Sequence, residues 1–265
     1  MCTIIVRHQM DDWCSTIIAS NRDEFYDRPA SGPMVLRDKP RVIGGRDEKE
    51  GGTWFGLTPG GLFVGLTNQR NFGLRDDTLR SRGELVVDAL CTGSLEGVTA
   101  FLRGLDPQLY NEFNLIFGDG QQVLAAYGRR EAQAVELESL GEGVHVLCND
   151  RLGSPEFPKA DMARVRVESV GADGWPRVRS ALVDVLCDRT LPDPETVPPL
   201  PPDAPFDEDV ARHLQAICVV TPVYGTVSSS LAAVSPGRVE RYEFSHGAPH
   251  AESYADVLEL TRVAE

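Results

Sequence analysis

The sequence predicts an α+β fold in which two sheets of mostly antiparallel strands are covered by helices. Short runs rich in β-branched and aromatic residues recur along the chain, and turn-forming residues join several of them into hairpins. Regions between these runs show the apolar spacing of amphipathic helices. Because each sheet and each helix must bury an apolar face, packing the helices onto the sheets is the simplest architecture for these elements.

The first two strands are expected at residues 3–8 and 15–20, which are rich in Ile, Val and Thr. The polar pair Asp11-Asp12 between them predicts an antiparallel hairpin. The second strand leads directly into an Asn-Arg-Asp-Glu segment at residues 21–24, and Asp27-Arg28-Pro29 then breaks the strand pattern. The segment is therefore expected at the end of the second strand, close to the start of the first.

A second hairpin is expected at residues 53–57 and 62–66, because Pro59 presets the turn and the glycines after it accept positive φ. Residues 81–104 have helical spacing that is interrupted by Thr-Gly-Ser, which predicts two short helices. Later strands are expected at residues 113–117, 122–127, 145–147, 216–221, 227–234 and 238–244, and later helices near residues 157–169 and 176–188.

Seven prolines fall within residues 192–205, which excludes a helix or a central strand there. The length of 265 residues allows one large domain or two small ones. Because strand-like runs resume after the prolines, we expect a single domain over residues 1–265, with the proline-rich stretch as a surface excursion.

The net charge of −14 excludes whole classes of partner. A nucleic acid or an anionic membrane surface requires a basic face, and this chain repels both on average. No apolar run approaches the roughly 18 residues that span a bilayer, so no integral membrane segment is expected. The N-terminus resembles neither a secretory signal nor an Arg-rich transit peptide, which favours a cytoplasmic location. The oligomeric state is left open.

Six cysteines are scattered along the chain without a Cys-x-x-Cys pair. This spacing matches neither a zinc or redox motif nor a disulfide framework, so five of them are expected to be buried, inert thiols. Cys2 differs, because removal of Met1 would make it the N-terminal residue. It would then carry both a thiol nucleophile and an α-amine, whose pKa of roughly 7.7–8.0 suits a base at neutral pH.

The Asn-Arg-Asp-Glu segment supplies charges that suit this chemistry. In the predicted hairpin, Arg22 and Asp23 lie beside Cys2. The Arg22 guanidinium would lower the pKa of the thiol, and the Asp23 carboxylate would hold or orient the amine. A solvated turn of mixed charges is the alternative interpretation of the same four residues.

A cysteine at position 2 followed by the Asn21-Arg22-Asp23-Glu24 motif resembles the NRDE-motif family, also called the transport and Golgi organisation protein 2 family. The likeness covers most of the chain, because further segments match in order. They include Glu50-Gly51-Gly52-Thr53-Trp54, Leu66-Thr67-Asn68, Arg82-Gly83-Glu84, Phe113-Asn114-Leu115, Leu147-Cys148-Asn149 and Tyr224-Gly225-Thr226.

This family is similar in turn to N-terminal nucleophile hydrolases, notably the branch of bile-salt hydrolases, penicillin V acylases and acyltransferases. The resemblance implies a four-layer αββα sandwich with Cys2 as the nucleophile. It also implies that Asp23 lies near the amine. Asn68 and Asn149 would bind the oxyanion and order the terminus, a role that suits amides because they donate N–H without titrating.

One position departs from that branch, which typically has Arg-Asn-x-Asp at the end of the second strand. Here Ser20 stands at the arginine position, and Arg22 follows two residues later. In a strand, Arg22 would point to the same face as Ser20. Whether Arg22 replaces the missing arginine stays open at this point, and with it the question of catalysis.

Other residues are expected to contact the substrate. Arg70 and Arg82 belong to an arginine cluster that follows Asn68 and would hold an anionic group, with a salt-bridged loop as the alternative. Trp54 is either a platform for substrate or a core residue. The expected binding residues also include Asn21 and Thr226, the latter at the start of a run of hydroxyl side chains.

Two functions fit these observations. The first is a cysteine amidohydrolase or thioesterase that cleaves a non-peptide amide or an acyl thioester through Cys2 and requires no cofactor. The second is a non-catalytic carrier that holds an acyl-CoA, another lipid-like ligand or haem in the same pocket; haem has no motif behind it. No metal pair is expected at His246 and His250, because glycine and proline between them break a helix.

Overall fold

A computed structural model describes residues 2–72, 75–172, 174–202 and 204–262. The strands are β1 (Cys2–His8), β2 (Thr16–Phe25), β3 (Ala30–Asp38), β4 (Arg41–Asp47), β5 (Phe55–Leu57), β6 (Phe63–Asn68), β7 (Phe113–Gly118), β8 (Val123–Gly128), β9 (Glu136–Leu140), β10 (Gly143–Leu147), β11 (Tyr224–Ser235), β12 (Arg238–Ser245) and β13 (Ala255–Asp256). The α-helices are α1 (Arg82–Leu90), α2 (Leu95–Arg103), α3 (Pro158–Glu168), α4 (Trp175–Leu186) and α5 (Glu208–His213). Within these ranges, no helix is both long and apolar enough to cross a bilayer.

The strands form two sheets whose neighbouring strands are antiparallel. One sheet has the order β10-β1-β2-β11-β12-β13 and the other the order β3-β4-β5-β6-β7-β8-β9. Because β1 pairs with β10 on one side and with β2 on the other, the N-terminal strand lies inside its sheet rather than at an edge. The chain start is thus held in place by neighbours on both sides.

Three apolar clusters define the packing of the layers. The first joins α1 and α2 to the seven-stranded sheet, the second joins α3 and α4 to the six-stranded sheet, and the third lies between the two sheets. Representative members are Leu85, Leu102 and Phe113 for the first, Ile5, Ala163 and Leu182 for the second, and Ile4, Phe55 and Phe63 for the third. The predicted four-layer αββα sandwich is therefore confirmed.

Alternate residues of β1 and β2 face opposite interfaces. Ile4 and Ile18 belong to the cluster between the sheets, whereas Ile5 and Ile17 belong to the cluster under the helices. The side chains of Cys2, Ser20 and Arg22 point in the same direction as Ile4 and Ile18, because strand residues two apart share a face. The two strands therefore present this polar group to the facing sheet.

Most predicted elements are confirmed within a few residues, but two predictions need correction. The strand expected at residues 15–20 continues to Phe25, so residues 21–24 lie within β2 and the alternative of a solvated turn does not hold. Residues 216–221 form no strand, although their apolar side chains are largely buried. The Cys218 N–H donates to the Asp188 carbonyl and the Val219 N–H to Thr226 Oγ1, in place of a regular strand ladder.

The sequence analysis did not predict β3, β4 or β9. β3 contains glycine and proline, and its pairing with β4 has two register shifts, so its alternation is irregular. β9 is a largely exposed edge strand with two glutamates among its five residues. Such edges carry little of the apolar pattern from which strands are predicted.

Substitution of Gly52 is expected to destabilise the fold, because Gly52 lies between β4 and β5, where the start of α1 contacts the seven-stranded sheet. Its φ is +75°, and a Cβ there would overlap the Gly83 backbone. We expect Gly52→Ala to lower the free energy of unfolding by about 3 kcal/mol, from backbone strain and displacement of α1. Gly93→Ala is the matched control, because Gly93 has φ +79° and open space around a Cβ. Urea unfolding should show a loss of only about 1 kcal/mol for Gly93→Ala; equal losses would contradict this account.

Candidate active site

The start of β1 places Cys2 at the mouth of the gap between the two sheets. Cys2 pairs with Arg22 on β2, and both side chains face the other sheet. Both line a small polar cavity of about 70 Å³, which we call the thiol chamber. Trp54, Asn68 and Arg82 line it from the opposite side. With Asp23, which also reaches the wall, the structure gathers six of the expected site residues around one space.

Asn149 connects the start of β1 to the end of β6. The Cys2 backbone N–H donates to Asn149 Oδ1 at 3.2 Å, and Asn149 Nδ2 donates to the Asn68 carbonyl at 2.7 Å. The Asn149 carbonyl in turn accepts from the Arg70 N–H at 2.7 Å. These three bonds fix the position of the Cys2 nitrogen relative to the chamber wall.

The Asn68 side chain is available to a ligand. Its backbone carbonyl is occupied by Asn149, but its side-chain amide makes no hydrogen bond to any residue that the structure describes. Asn68 also lines a second cavity described below, so it stands at the junction of two spaces. An amide in this position can donate N–H to an oxygen of a bound molecule.

Arg22, and not the residue at position 20, is the strand neighbour of Cys2. Its guanidinium lies 4.3 Å from the centre of the Trp54 ring, and its Nη2 lies 3.9 Å from Glu24 Oε2. Ser20 pairs with Ile4, one step deeper in the sheet, whereas Arg22 pairs with Cys2. The cation beside Cys2 is therefore Arg22, held over an indole face that favours it.

The pKa of the Cys2 thiol is raised, although the residue as a whole is only partly buried. Burial of the thiol is the largest cause, and the negative charge of Asp23 acts in the same direction. The positive charge of the N-terminal amine is the largest cause that opposes the shift, followed by a hydrogen bond from the Asp23 backbone N–H and by the charge of Arg22. The thiol is therefore largely protonated at neutral pH and needs a base to become nucleophilic.

This protonation state predicts the pH dependence of Cys2 alkylation. A raised pKa lowers the thiolate fraction at any given pH, so the rate with iodoacetamide should keep rising above pH of about 8.5, the ordinary thiol value. Quenched samples digested and analysed by mass spectrometry give the rate at Cys2 alone. A rate that reaches its plateau below that pH would contradict the raised pKa.

Asp23, Asn21 and Thr226 lie mainly on the other face of the sheet, under the helices. Asp23 Oδ1 accepts from Thr226 Oγ1 at 2.6 Å, and Asn21 Nδ2 donates to the carbonyls of Leu186 and Ile217. Burial raises the pKa of the Asp23 carboxyl, against the opposing charge of Lys159. Asp23 also reaches the chamber wall, whereas the bonds of Asn21 and Thr226 point to support of the strand rather than to substrate contact.

Carboxylates neutralise part of the positive charge in the thiol chamber. Arg28 lies 2.7 Å from Asp47, 3.3 Å from Glu50 and 3.7 Å from Glu24. Arg75 pairs with Glu50 as well. The sequence analysis missed these ion pairs because Asp47 ends β4 and Glu50 follows it, and β4 itself was not predicted.

Arg82 differs from these paired arginines. Its Nη1 donates to the Glu112 carbonyl at 3.1 Å, and it has no ion pair with a residue in the described ranges. Burial and the neighbouring charge of Arg75 lower the pKa of Arg82 to about 10. Arg82 and Cys2 line the same chamber, and the negative charge that a Cys2 thiolate would carry opposes the lowering of the Arg82 pKa.

Arg70 belongs to a separate, apolar cavity of about 520 Å³. Its guanidinium pairs with Glu156 and stacks on Phe72 and Phe157. Apolar side chains from the end of β2, from loops and from α5 with its C-terminal cap form much of the cavity wall; they include Phe25, Phe72, Phe206, Val210, Leu214 and Val223. Pro205, at the end of the proline-rich stretch, also lines it. No local sequence signal predicts this cavity, because its walls come from distant segments.

The sequence profile of the Transport and Golgi organisation 2 family matches residues 1–245 of this chain. A Transport and Golgi organization protein 2 homolog from Bos taurus is 33% identical over 229 residues, which cover 82% of this chain and 81% of that protein. The homolog from Homo sapiens is 31% identical over 232 residues, with the same coverage of both chains.

Similar folds occur in solved structures of N-terminal nucleophile hydrolases. A conjugated bile acid hydrolase from Clostridium perfringens aligns with a TM-score of 0.54 and 12% identity, over 100% of this chain and 95% of that chain. Penicillin V acylase from Agrobacterium tumefaciens aligns with a TM-score of 0.54 and 10% identity, over 98% and 87%. At these identities the likeness shows the fold alone, and it agrees with the layers described above.

Proposed function

This chain belongs to the Transport and Golgi organisation 2 family, and we propose that it hydrolyses a non-peptide amide or an acyl thioester with the Cys2 thiol as nucleophile. The observation that carries the proposal is the arrangement at the start of β1. Cys2 faces a small polar chamber with Arg22 beside it on the neighbouring strand, Asn149 holds the Cys2 nitrogen, and Asn68 presents an open amide at the wall.

Activation of the thiol requires Met1 to be removed. Because burial raises the pKa of Cys2, a base must take the thiol proton as the sulfur attacks. The freed α-amine lies on the same residue and has a suitable pKa. Asn149 Oδ1, which accepts from the Cys2 nitrogen, would orient this amine towards the thiol.

The reaction proceeds in two balanced halves. Sγ of Cys2 bonds to the carbonyl carbon of the substrate, and its proton passes to the α-amine. The Asn68 amide and backbone N–H groups stabilise the oxyanion, and the C–N or C–S bond then breaks as the ammonium returns the proton to the leaving group. A water molecule, deprotonated by the same amine, attacks the acyl-Cys2 and releases a carboxylic acid and the free thiol.

A carrier function is the second candidate, and the apolar cavity supports it. A space of about 520 Å³ with aromatic and aliphatic walls suits an acyl chain or another lipid-like ligand. Haem fits less well, because the described residues that line the cavity include no His, Cys or Met to bind its iron. Tyr224 lines it, but the Tyr224 hydroxyl donates to the Asp23 carbonyl.

The two candidates are separated by turnover of a series of amides and acyl thioesters. The protein with Met1 removed, verified by intact mass, should release acid catalytically, whereas a protein with extra residues before Met1 should not, because it lacks the free α-amine. Equal turnover by both proteins would contradict the mechanism. Binding of one ligand per chain, unaffected by Cys2→Ala and without acid release, would support the carrier instead.

A further inference from the structure

A third cavity, of about 160 Å³, lies on the far side of Arg22 from the Cys2 thiol. Arg22, Arg28 and Trp54 line both this cavity and the thiol chamber. The remaining polar wall includes Ser228 and His246. We call this space the side cavity. The stacked pair of Arg22 and Trp54 lies at the boundary that the two adjoining spaces share.

The strand register explains why these side chains meet. Cys2 on β1 pairs with Arg22 on β2, and Arg22 pairs with Ser228 on β11. Ser229 pairs with Ser245, the last residue of β12. The next residue, His246, therefore follows opposite Ser228 and extends the row formed by Cys2, Arg22 and Ser228. Neighbouring strands lie about 4.8 Å apart, which places Ser228 about 10 Å from Cys2.

The charge of the side cavity is unusual for this protein. Among the described residues that line it are two arginines and a histidine, but no aspartate or glutamate. The thiol chamber, by contrast, is also lined by Asp23, Glu24, Asp47 and Glu50. Arg28 lies 2.7 Å from Asp47 and 3.3 Å from Glu50. Among the described carboxylates, Arg22 pairs with Glu24 at the longer distance of 3.9 Å, so Arg22 supplies more of the positive charge. In a chain of net charge −14, a cavity of this composition favours an anion.

Ser228 supplies an independent observation that points to a ligand. The residue is only 5% exposed, and its Oγ has no hydrogen-bond partner within the described part of the chain. A buried hydroxyl without a partner is unfavourable, and an acceptor oxygen in the cavity would satisfy it. The unpaired donor thus lies in the wall of the cavity that the arginine makes positive.

His246 is an exposed residue at the edge of the side cavity, and two contacts hold its ring in place. Its ring packs so closely on Gly32 that a Cβ at that glycine would overlap the imidazole. The ring also meets Phe244 edge-on, with 4.9 Å between ring centres. A preorganised ring loses little conformational freedom on binding, which favours a specific site over a loose surface contact.

We propose that the side cavity is an oxyanion subsite, in which Arg22, Ser228 and His246 bind an anionic group of the substrate itself. The assignment to the substrate rests on the proposed function, whereas the subsite stands on its own geometry. A phosphate or a carboxylate would fit the cavity. A span of about 10 Å corresponds to about eight bonds of an extended chain between this group and the scissile carbonyl.

Titration with inorganic phosphate tests the subsite without turnover. In the full-length Cys2→Ala protein at low ionic strength, calorimetry should show one phosphate per chain with a Kd in the millimolar range. Ser228→Ala should weaken binding about tenfold, as expected for a hydrogen bond to a charged group. His246→Phe, which keeps the ring packing, should weaken it similarly. Ser230→Ala, on the same face of β11 but outside the cavity wall, is the matched control and should bind normally.

Two results would overturn the subsite: no phosphate binding to the Cys2→Ala protein, or unchanged affinity in both Ser228→Ala and His246→Phe. Unfolding curves show whether each variant is folded. In the unsubstituted enzyme, phosphate should raise KM and leave kcat unchanged, because it competes with the anion of the substrate. An effect on kcat alone would overturn the assignment to substrate. If no amide or thioester is hydrolysed, the proposed function fails, yet the titration still decides the subsite.

Discussion

Replacing Cys2 by alanine is expected to lower kcat by a factor on the order of 10⁴ or more, because the variant has no atom that can form the acyl intermediate. Cys2→Ser should also be severely impaired, since the site deprotonates a hydroxyl far less readily than a thiol. Steady-state turnover of the amide or thioester measures the loss. The fold should be unaffected, because Cys2 is the first residue of β1 and lies outside the apolar clusters.

Cys91→Ser provides the matched control for this experiment. Cys91 is also a partly exposed free thiol, but it caps the end of α1 and does not line the thiol chamber. Its variant should turn over substrate within about twofold of the unsubstituted rate, as for a substitution away from the site. A Cys2→Ala protein that hydrolysed substrate normally would exclude Cys2 as nucleophile.

Replacing Asn68 by alanine is expected to lower kcat by about 10²–10³-fold, the usual effect of deleting one oxyanion donor. The prediction follows from the open amide of Asn68 at the wall of the chamber that contains Cys2. KM should change little, because the oxyanion develops only in the transition state.

Asn68→Asp sharpens the test, since it keeps the shape of the side chain and replaces the N–H donor by an acceptor. It should be at least as impaired as Asn68→Ala. Both variants should unfold at nearly the same urea concentration as the unsubstituted chain, because the side chain bonds to no described residue. A large rise in KM with normal kcat would instead assign Asn68 to substrate binding.

The fold was largely predictable because its central strands carry clear signals. β1 and β2 are runs of Ile, Val and Thr, and the pairing of Cys2 with Arg22 follows from a simple hairpin. Two of the missed strands, β3 and β9, are exposed or interrupted by glycine and proline. β4 was also missed; it is mostly buried, but Gly44-Gly45 interrupts its short apolar run. Local patterns report burial, so they fail where a strand is only weakly buried.

The site was predictable to the extent that it lies on β1, β2 and the ends of β6 and β10. Alternation alone assigns Ser20 and Arg22 to one face, but only the register shows that Arg22 stands opposite Cys2. The same alternation assigns Asn21 to the helix side, where it bonds to backbone carbonyls. The side cavity was not predictable, because it depends on how β11 and the end of β12 align with β2.

The acidic composition of the chain contrasts with the basic residues that line the side cavity. The chain carries 40 acidic and 26 basic residues, yet the described residues that line the side cavity include Arg22 and Arg28 and no aspartate or glutamate. This composition favours binding of an anion there, whereas four carboxylates balance the four arginines of the thiol chamber. Raising the salt concentration should therefore weaken the binding of an anionic substrate at this site.

Intact-mass analysis after mixing with a slowly hydrolysed acyl thioester tests the central claim most directly. The account predicts a protein that lacks Met1 and gains the mass of one acyl group. Peptide mapping should place this group on Cys2, and the adduct should decay as acid is released. Catalytic release of acid by a protein that retains Met1, or with the acyl group on another residue, would contradict it.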